Sequence, residues 1–286
     1  MSIDEKIDTI QPGSVALLGA PFDANSSFLR GAALGPARIR ETLHSGASNW
    51  STELGVDLSA ATNWSDLGDA HLPGAPGPLE PLRAIAARLA ERSVRPLTLG
   101  GDHSISAALV EGLARQHGPL TILHLDAHPD LYDALDGSRH SHACPFARIM
   151  EAGLAQTLVQ VGIRTLNPHQ RQQAERFGVE IIAAGALRAG GGERLRQMFA
   201  EGGKLCGPIY LSIDLDVLDP AFAPGVSHHE PGGLSTRDVI EVVHALPGPV
   251  IGADIVELNS SRDPIGRTAA VAAKLCKEVL GRMAAG

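Results

Sequence analysis

The sequence predicts an α/β fold: a largely parallel sheet with helices on both faces, a three-layer α/β/α sandwich. Two observations predict it. Seven short apolar runs are continuous rather than alternating, the pattern of strands buried on both faces. Helix-forming stretches separate many of them, as crossovers between parallel strands require. The runs also end in polar or glycine-rich turns, which marks where each strand stops.

In chain order, Val15–Ala20 is the first strand and runs into Pro21-Phe22-Asp23. Pro81–Arg92, rich in Ala, Leu and Arg, carries apolar residues at helical spacing. Pro96–Leu99 is a strand that enters Gly100-Gly101-Asp102-His103. Ser104–His117 opens on a candidate serine cap and stops before Gly118-Pro119. Leu120–Leu125 runs into Asp126-Ala127-His128, and Leu158–Ile163 into Arg164-Thr165. Asn167–Phe177 is a polar helix between Leu158–Ile163 and the strand Val179–Ala183. Ile209–Ile213 and Val250–Val256 complete the strands. Between them Ser235–Ala245 opens with the capping-type start Ser-Thr-Arg-Asp, and Thr268–Met283 is a closing amphipathic helix. Ala189–Gly192 reads as a loop. No GxGxxG or GxxxxGK[ST] pattern is present, so no phosphate cradle is expected. With no compositional break and no repeat, one domain over residues 1–286 is expected.

At 286 residues the chain can bury a large core without disulfides or metals. Its net charge of −8 argues against a nucleic-acid partner, which needs a basic footprint. No apolar stretch approaches a membrane span. Cys144, Cys206 and Cys276 are odd in number and widely spaced, which is not a disulfide framework. A reducing cytoplasm is the expected location, and Met1–Gln11 lacks a signal-type apolar core.

Three segments carry metal-type ligands at strand ends: Gly100-Gly101-Asp102-His103-Ser104, Asp126-Ala127-His128-Pro129-Asp130, and Ser212-Ile213-Asp214-Leu215-Asp216. In an open α/β sheet, ligands bind beyond the carboxyl ends of the strands. Extended-chain spacing puts i, i+2 and i+4 on one side, so Asp126, His128 and Asp130 can converge, as can Asp214 and Asp216. Four carboxylates beside two imidazoles suit two divalent cations of the Mn²⁺ type, able to share and deprotonate a water. Each motif alone could be a turn or a cap. Their joint occurrence at three strand ends selects the metal reading over a structural one.

These three motifs, extended by Asp219-Pro220 and Pro224-Gly225, resemble the ureohydrolase superfamily of arginases, agmatinases and related guanidino hydrolases. The resemblance runs from Leu18-Gly19-Ala20-Pro21 and Gly35-Pro36 to Glu257 and the last helix. Asp126–Tyr132, Ser141–Glu151 and Pro220–Leu234 are most similar to plant-type arginases. The resemblance implies an eight-stranded arginase-like sandwich, two Mn²⁺ ions per subunit, and a homotrimer or homohexamer. It assigns His103, Asp126, Asp130 and Asp216 to one ion and Asp126, His128, Asp214 and Asp216 to the other. It implies that an activated water attacks the guanidinium carbon, with Asp130 orienting it, Glu257 pairing with the guanidinium and His142 shuttling protons. His140 competes with His142 for that role, but Ala143-Cys144-Pro145 aligns better with His142. His124 reads as a satisfied core histidine and Asp219 as a turn residue. Spacing assigns no role to Asn25, Ser26 and Ser27.

The resemblance implies L-arginine hydrolysis to ornithine and urea as the first reading. Agmatine or a guanidino acid such as 4-guanidinobutyrate would use the same catalytic end. Ser138, Asn167 and His228 are candidate substrate contacts beside Glu257 and His142. The loop Leu131–Arg139 is one residue shorter than in animal-type arginases. Asn167 and Gln170 stand where those have acids, a departure that plant-type arginases share. Two other classes are weighed. A one-zinc deacetylase of the same fold needs fewer carboxylates than the six-ligand set supplies. The intact set of Asp130, His142 and Glu257 argues against a non-catalytic guanidino-binding subunit.

Overall fold

The computed structural model describes residues 2–187, 195, 199, 205 and 207–285. The Ala189–Gly192 loop and Cys206 lie outside the described residues. Eight strands form one sheet: β1 Val15–Ala20, β2 Trp64–Asp69, β3 Arg95–Gly100, β4 Leu120–Leu125, β5 Ala155–Ile163, β6 Glu180–Ala183, β7 Ile209–Asp214 and β8 Val250–Val256. Their spatial order is β2-β1-β3-β8-β7-β4-β5-β6. Every neighbouring pair is parallel. All carboxyl ends therefore share one edge of the sheet, and the strands nearest its centre (β3, β8, β7 and β4) come from distant parts of the chain.

Strand side chains alternate between two cores. Leu17, Leu97, Leu99, Leu211 and Ile213 enter one core, closed by the helices α2 Gly35–Leu43, α7 Thr236–Ala245 and α8 Arg267–Ala284. Ala16, Leu18, Ile122 and Tyr210 enter the other. That core is closed by α1 Ile3–Thr9, α3 Glu80–Glu91, α4 Ile105–His117 and α5 Pro145–Glu151, with Ala174 of α6 Pro168–Phe177 at its margin. The three layers follow from that alternation.

Seven strands lie where the apolar runs place them. The eighth, β2, has the sequence WSDLGD, and only Leu67 is fully buried. It is an edge strand beside β1. Its Asp66 and Asp69 face outward to Arg40 of α2, so no apolar run announces it. The helices α1, α2 and α5 are short, seven to nine residues each, and were not expected. Ser235 caps α7 through the reciprocal bonds with Asp238 that its sequence predicts. Asn167 likewise caps α6, accepting from the Gln170 N–H. Ser104 precedes α4 but its side chain does not cap it. Its hydroxyl donates to Asp102 Oδ1 instead, at 2.5 Å.

Gly101 shows how tightly the strand ends are packed. The Asp102 N–H donates to the Phe22 carbonyl at 2.7 Å, and a Cβ on Gly101 would collide with the Phe22 backbone. Replacing Gly101 with Ala is expected to lower unfolding free energy by about 3 kcal/mol, near the upper end for one substitution. Gly185→Ala, where a Cβ meets open space, should leave the thermal midpoint within about 1 °C of the parent. Equal midpoints for both variants would remove the steric argument.

Candidate active site

The four central strands deliver the predicted ligands. β3 leads to His103, β8 to Glu257, β7 ends at Asp214 and leads to Asp216, and β4 leads to Asp126, His128 and Asp130. Convergence does not come from extended-chain alternation beyond the strands, as expected, but from tight turns. Leu215–Val217 is a 3₁₀ turn, and Asp130 has a left-handed backbone, φ 51°. Glu257 is also left-handed, φ 67°. Such conformations are unfavourable for residues other than glycine and collect at functional sites.

Asp126, Asp214 and Asp216 each have one oxygen tied to a backbone N–H, with the other aimed toward a histidine of the cluster. Asp126 Oδ1 accepts from the His128 N–H at 2.6 Å, and Asp214 Oδ1 from the Asp216 N–H at 2.8 Å. Asp216 Oδ1 accepts from the Ala127 N–H at 3.1 Å, which links the β7 turn to the β4 turn. The inward oxygens meet the histidines. His103 Nδ1 lies 3.1 Å from Asp126 Oδ2, 3.2 Å from Asp130 Oδ2 and 3.1 Å from Asp214 Oδ2. His128 Nδ1 lies 3.0 Å from Asp216 Oδ2 and 3.4 Å from Asp126 Oδ1. The resemblance put Asp216 with His103. The geometry sets Asp214 there and leaves Asp216 beside His128, because the 3₁₀ turn sends the second aspartate of the pair toward the β4 side.

His103 supplies the test of whether a cation fits. Its ring is fully buried, and Nδ1 is aligned for a hydrogen bond with none of its three carboxylate neighbours. Its other nitrogen is committed: Nε2 lies 2.8 Å from Ser212 Oγ. Ser212 Oγ donates to Asp254 Oδ1 at 2.7 Å, and Ser106 Oγ and Tyr210 Oη donate to Asp254 Oδ2 at 2.7 and 2.5 Å. Ser212 gives its proton to Asp254 and so must accept from Nε2–H, which leaves the Nδ1 lone pair facing three oxygens. Donors around an octahedral ion with bonds of about 2.1 Å stand about 3 Å apart, close to the spacing seen. The residues fit a divalent cation.

The electrostatics agree. Burial, with Asp216 and Asp126 adding to it, holds Asp214 well above the usual carboxylate range. Burial likewise raises Asp216 to about 6, with the Asp126 charge adding to the shift and His128 opposing it. Burial would lower the pKa values of His103 and His128, but the surrounding carboxylates outweigh it and raise both. The bare cluster thus leans on protons for the positive charge that cations would bring.

His124 is fully buried, as a core histidine should be, but it is not remote. Gln160 Nε2 donates to its Nδ1 at 3.0 Å, so its Nε2–H points at Asp126 Oδ2, 2.7 Å away. It holds a carboxylate of the cluster from behind.

Beside the cluster lies a cavity of about 230 Å³ lined by His128, Asp130, Asp214, Asp216, His142, His228 and Glu257. A larger cavity, about 440 Å³, opens between α3, α4 and α5. It holds none of the predicted ligands, and chemistry rather than volume selects the smaller one. His142 Nδ1 lies 2.8 Å from Glu257 Oε1, which also accepts from the His103 N–H at 3.0 Å. Burial would lower the His142 pKa, but the Glu257 charge and hydrogen bond raise it to about 9. Glu257 is held below its usual range by His142, against the effect of burial. His140 is exposed and lies on the wall of the larger cavity.

Two predicted substrate contacts are corrected. Ser138 does not line the cavity: its hydroxyl accepts from the His140 N–H within its own turn. Asn167 caps α6 and donates to the Tyr132 hydroxyl, so it supports the wall from outside. Tyr132, Leu135, Thr165, Gln170, Glu230 and Ser27 form the remaining wall. They come from four separate loops and, for Gln170, from α6, and only the fold brings them together. Glu230 had a signal, one residue beyond His228-His229 in a loop already tied to the site. His229 turns away to the Pro224 carbonyl.

Known proteins share this chain's sequence pattern and fold. The arginase family profile matches residues 13–281. Arginase 1, mitochondrial, of Arabidopsis thaliana is 45% identical over 94% of this chain and 81% of its own length. Human guanidino acid hydrolase, mitochondrial, is 36% identical over 93% and 77%. The solved arginase of Medicago truncatula superposes with TM-score 0.83 at 39% identity, covering 98% of this chain and 91% of that one. The expected cytoplasmic location is overturned here, since the relatives bear mitochondrial names. Unpaired cysteines report a thiol-preserving environment, which is not unique to the cytoplasm.

Two outcomes follow from the site. Ser212→Ala strips His103 Nε2–H of its acceptor. It should weaken divalent-cation binding by about 10–100-fold and cost about 1–3 kcal/mol of stability, read by metal titration and thermal unfolding. In metal-free protein, histidine NMR should give His142 a pKa of about 9, falling toward its ordinary value in Glu257→Gln. Because that pKa is raised on folding, its stabilisation is full below about 6.5 and lost as pH rises through about 9. A His142 pKa unmoved by Glu257→Gln would rule out the ion pair as its cause.

Proposed function

The chain belongs to the arginase family, and on that premise we propose that it hydrolyses L-arginine to ornithine and urea. Family membership makes it a hydrolase of C–N bonds in linear amidines, and its substrate carries a guanidino group. The observation that carries the reading is His103 Nδ1, orphaned among the inward oxygens of Asp126, Asp130 and Asp214, one wall away from the Glu257–His142 pair. That is a cation site beside a guanidinium site. It favours an enzyme over a non-catalytic guanidino-binding subunit, which needs only the second.

His103, Asp130 and Asp214 would hold one ion and His128 and Asp216 the other, with Asp126 between them. Two Mn²⁺ ions are proposed. When bound, they would supply Lewis acidity that makes water a nucleophile near neutral pH. The protein's own groups do the rest. Glu257, fixed by two donors and held ionised, pairs with the guanidinium and presents its carbon to the cluster. Asp130, turned inward by its left-handed backbone, accepts a hydrogen bond from the attacking water and orients it. His142, held as an imidazolium by Glu257, supplies the proton that the departing amine needs. Water adds to the guanidinium carbon, the bond to the alkyl nitrogen breaks, and urea and a primary amine leave. We place this activity in one domain spanning 1–286 and in a homotrimer or homohexamer.

The far end of the substrate is read by Tyr132, Thr165, Gln170, His228 and Glu230. Glu230 offers a carboxylate to an ammonium. With Ser138 and Asn167 outside the cavity, neither can hold an α-carboxylate, an observation that favours agmatine as the second reading.

Urea release by the Mn²⁺-loaded protein should be measured with L-arginine, agmatine, 4-guanidinobutyrate and 3-guanidinopropionate. L-Arginine should give the highest kcat/KM. Preference for agmatine would replace the substrate and keep the mechanism, and no urea from any of the four would end the catalytic reading. Glu257→Gln should lower kcat/KM by about 10³-fold or more, the scale for losing a charged contact made to the reacting group.

A further inference from the structure

We propose that the Ser27 hydroxyl is the relay through which His142 exchanges its catalytic proton with the cavity and with solvent. The proposal rests on the reading of His142 as the proton donor to the departing amine.

Both imidazole nitrogens of His142 are engaged. Nδ1 is 2.8 Å from Glu257 Oε1, and Nε2 is 2.9 Å from Ser27 Oγ. A proton leaving the ring therefore goes to Glu257 or to Ser27. Glu257 must stay ionised to hold a guanidinium, and its carboxyl is held below the usual range. Ser27 remains. His142 is buried, whereas Ser27 is exposed and lines the same cavity as His142 and Glu257. The hydroxyl thus spans the step from a buried ring to open cavity.

The contact is built from below. The loop carrying Ser27 leaves β1 and is fastened at Asn25. The Asn25 N–H donates to Asp102 Oδ2 at 3.0 Å, and its side-chain amide donates to Ser104 Oγ and the Gly77 carbonyl, each at 3.0 Å. The His142 N–H in turn donates to the Asn25 carbonyl at 3.1 Å. One buried asparagine, two residues before Ser27, thereby ties the hydroxyl's loop to the imidazole's loop. Asp102 is fully buried and takes no place in the metal cluster, and this fastening gives it a purpose. The charged and titratable groups facing His142 are Glu257, Asp102 and Asp130, together with His228, whose ring centroid is 5.3 Å away. Three carboxylates favour the imidazolium, so a proton is present to be relayed.

The step balances. The imidazolium Nε2–H bond breaks as its proton moves to Ser27 Oγ, and the proton already on Ser27 passes to the departing amine or to a cavity water. The serine is a neutral hydroxyl before and after. The imidazole is left neutral, with its Nδ1–H on Glu257. Recharging runs in reverse, with solvent water or a buffer acid as the donor.

The test uses the full-length Mn²⁺ enzyme with L-arginine. Ser27→Ala should lower kcat about tenfold, the low side of losing a proton-transfer group, with KM within about twofold of the parent. Added imidazole buffer should restore the rate with saturation in the variant and leave the parent unaffected. Ser27→Thr, which keeps the hydroxyl, should recover most of the loss, and Ser27→Gly should repeat the alanine result if Ser27→Ala misfolds. An unchanged kcat, or a loss that buffer does not restore and that raises KM, overturns the relay. A second readout needs no turnover: in metal-free protein, NMR of ¹⁵N-labelled histidine should show the lifetime of the His142 Nε2 proton lengthened in Ser27→Ala and normal in Ser27→Thr. Equal lifetimes overturn the relay. A parent enzyme that releases no urea defeats the proposed function instead, and the lifetimes then decide the relay alone.

Discussion

The structure is organised around a repulsion. Asp126, Asp130, Asp214 and Asp216 are buried within reach of two histidine nitrogens at the centre of the sheet edge. Two carboxylates about 4 Å apart repel by roughly 4 kcal/mol even at the moderate effective dielectric of a protein. Nothing in hydrophobic packing offsets several such contacts. The fold holds them by fastening one oxygen of a carboxylate to a backbone N–H and leaving the opposite oxygen to share whatever positive charge arrives. Burial raises the pKa values of Asp214 and Asp216, and the charges of the neighbouring carboxylates add to the shift.

A parallel sheet suits this arrangement for a physical reason. Its strands all end on one edge, and its two cores hold them rigidly enough to resist the repulsion. Behind the cluster a layer of polar and charged groups sets directions. Asp254 gathers three hydroxyls, one of which takes the His103 Nε2–H. Gln160 fixes the tautomer of His124, which then donates to Asp126. Arg164 spans two loops, donating to the carbonyls of Asp216 and Glu230. It thereby ties a ligand of the cluster to the wall of the cavity. None of these residues is among those lining the cavity, yet each fixes a group that lines it or that belongs to the cluster.

Legibility in the sequence followed the chemistry of each residue type. Buried strands must be apolar, so β1, β4 and β8 could be read to the residue. The edge strand β2 buries only Leu67 and left no such trace. The candidate ligands were legible in the sequence because buried carboxylates at strand ends have few alternatives. Which aspartate faces which histidine was not, since that depends on the 3₁₀ turn at Leu215–Val217 and the left-handed Asp130, conformations that no spacing rule encodes. Ser138 and Asn167 were misplaced for a related reason. Both are local hydrogen-bonding residues, and a turn and a helix cap claimed them before the cavity could.

The same contrast explains why the reaction class is easier to read than the substrate. The reacting end is made from four adjacent strands, where one displaced residue would break the packing of both cores. The far end of the cavity is made largely from loops: Tyr132 and Leu135 from one, Thr165 from another, His228 and Glu230 from a third. Each can change without disturbing the sheet. The framework fixes Glu257, the proposed guanidinium partner, at the end of the central strand β8. What the guanidinium is attached to is decided by side chains that the framework leaves free to vary. Substrate preference in this fold is a property of loop tips, and it should shift by exchange of those tips with the metal cluster left untouched.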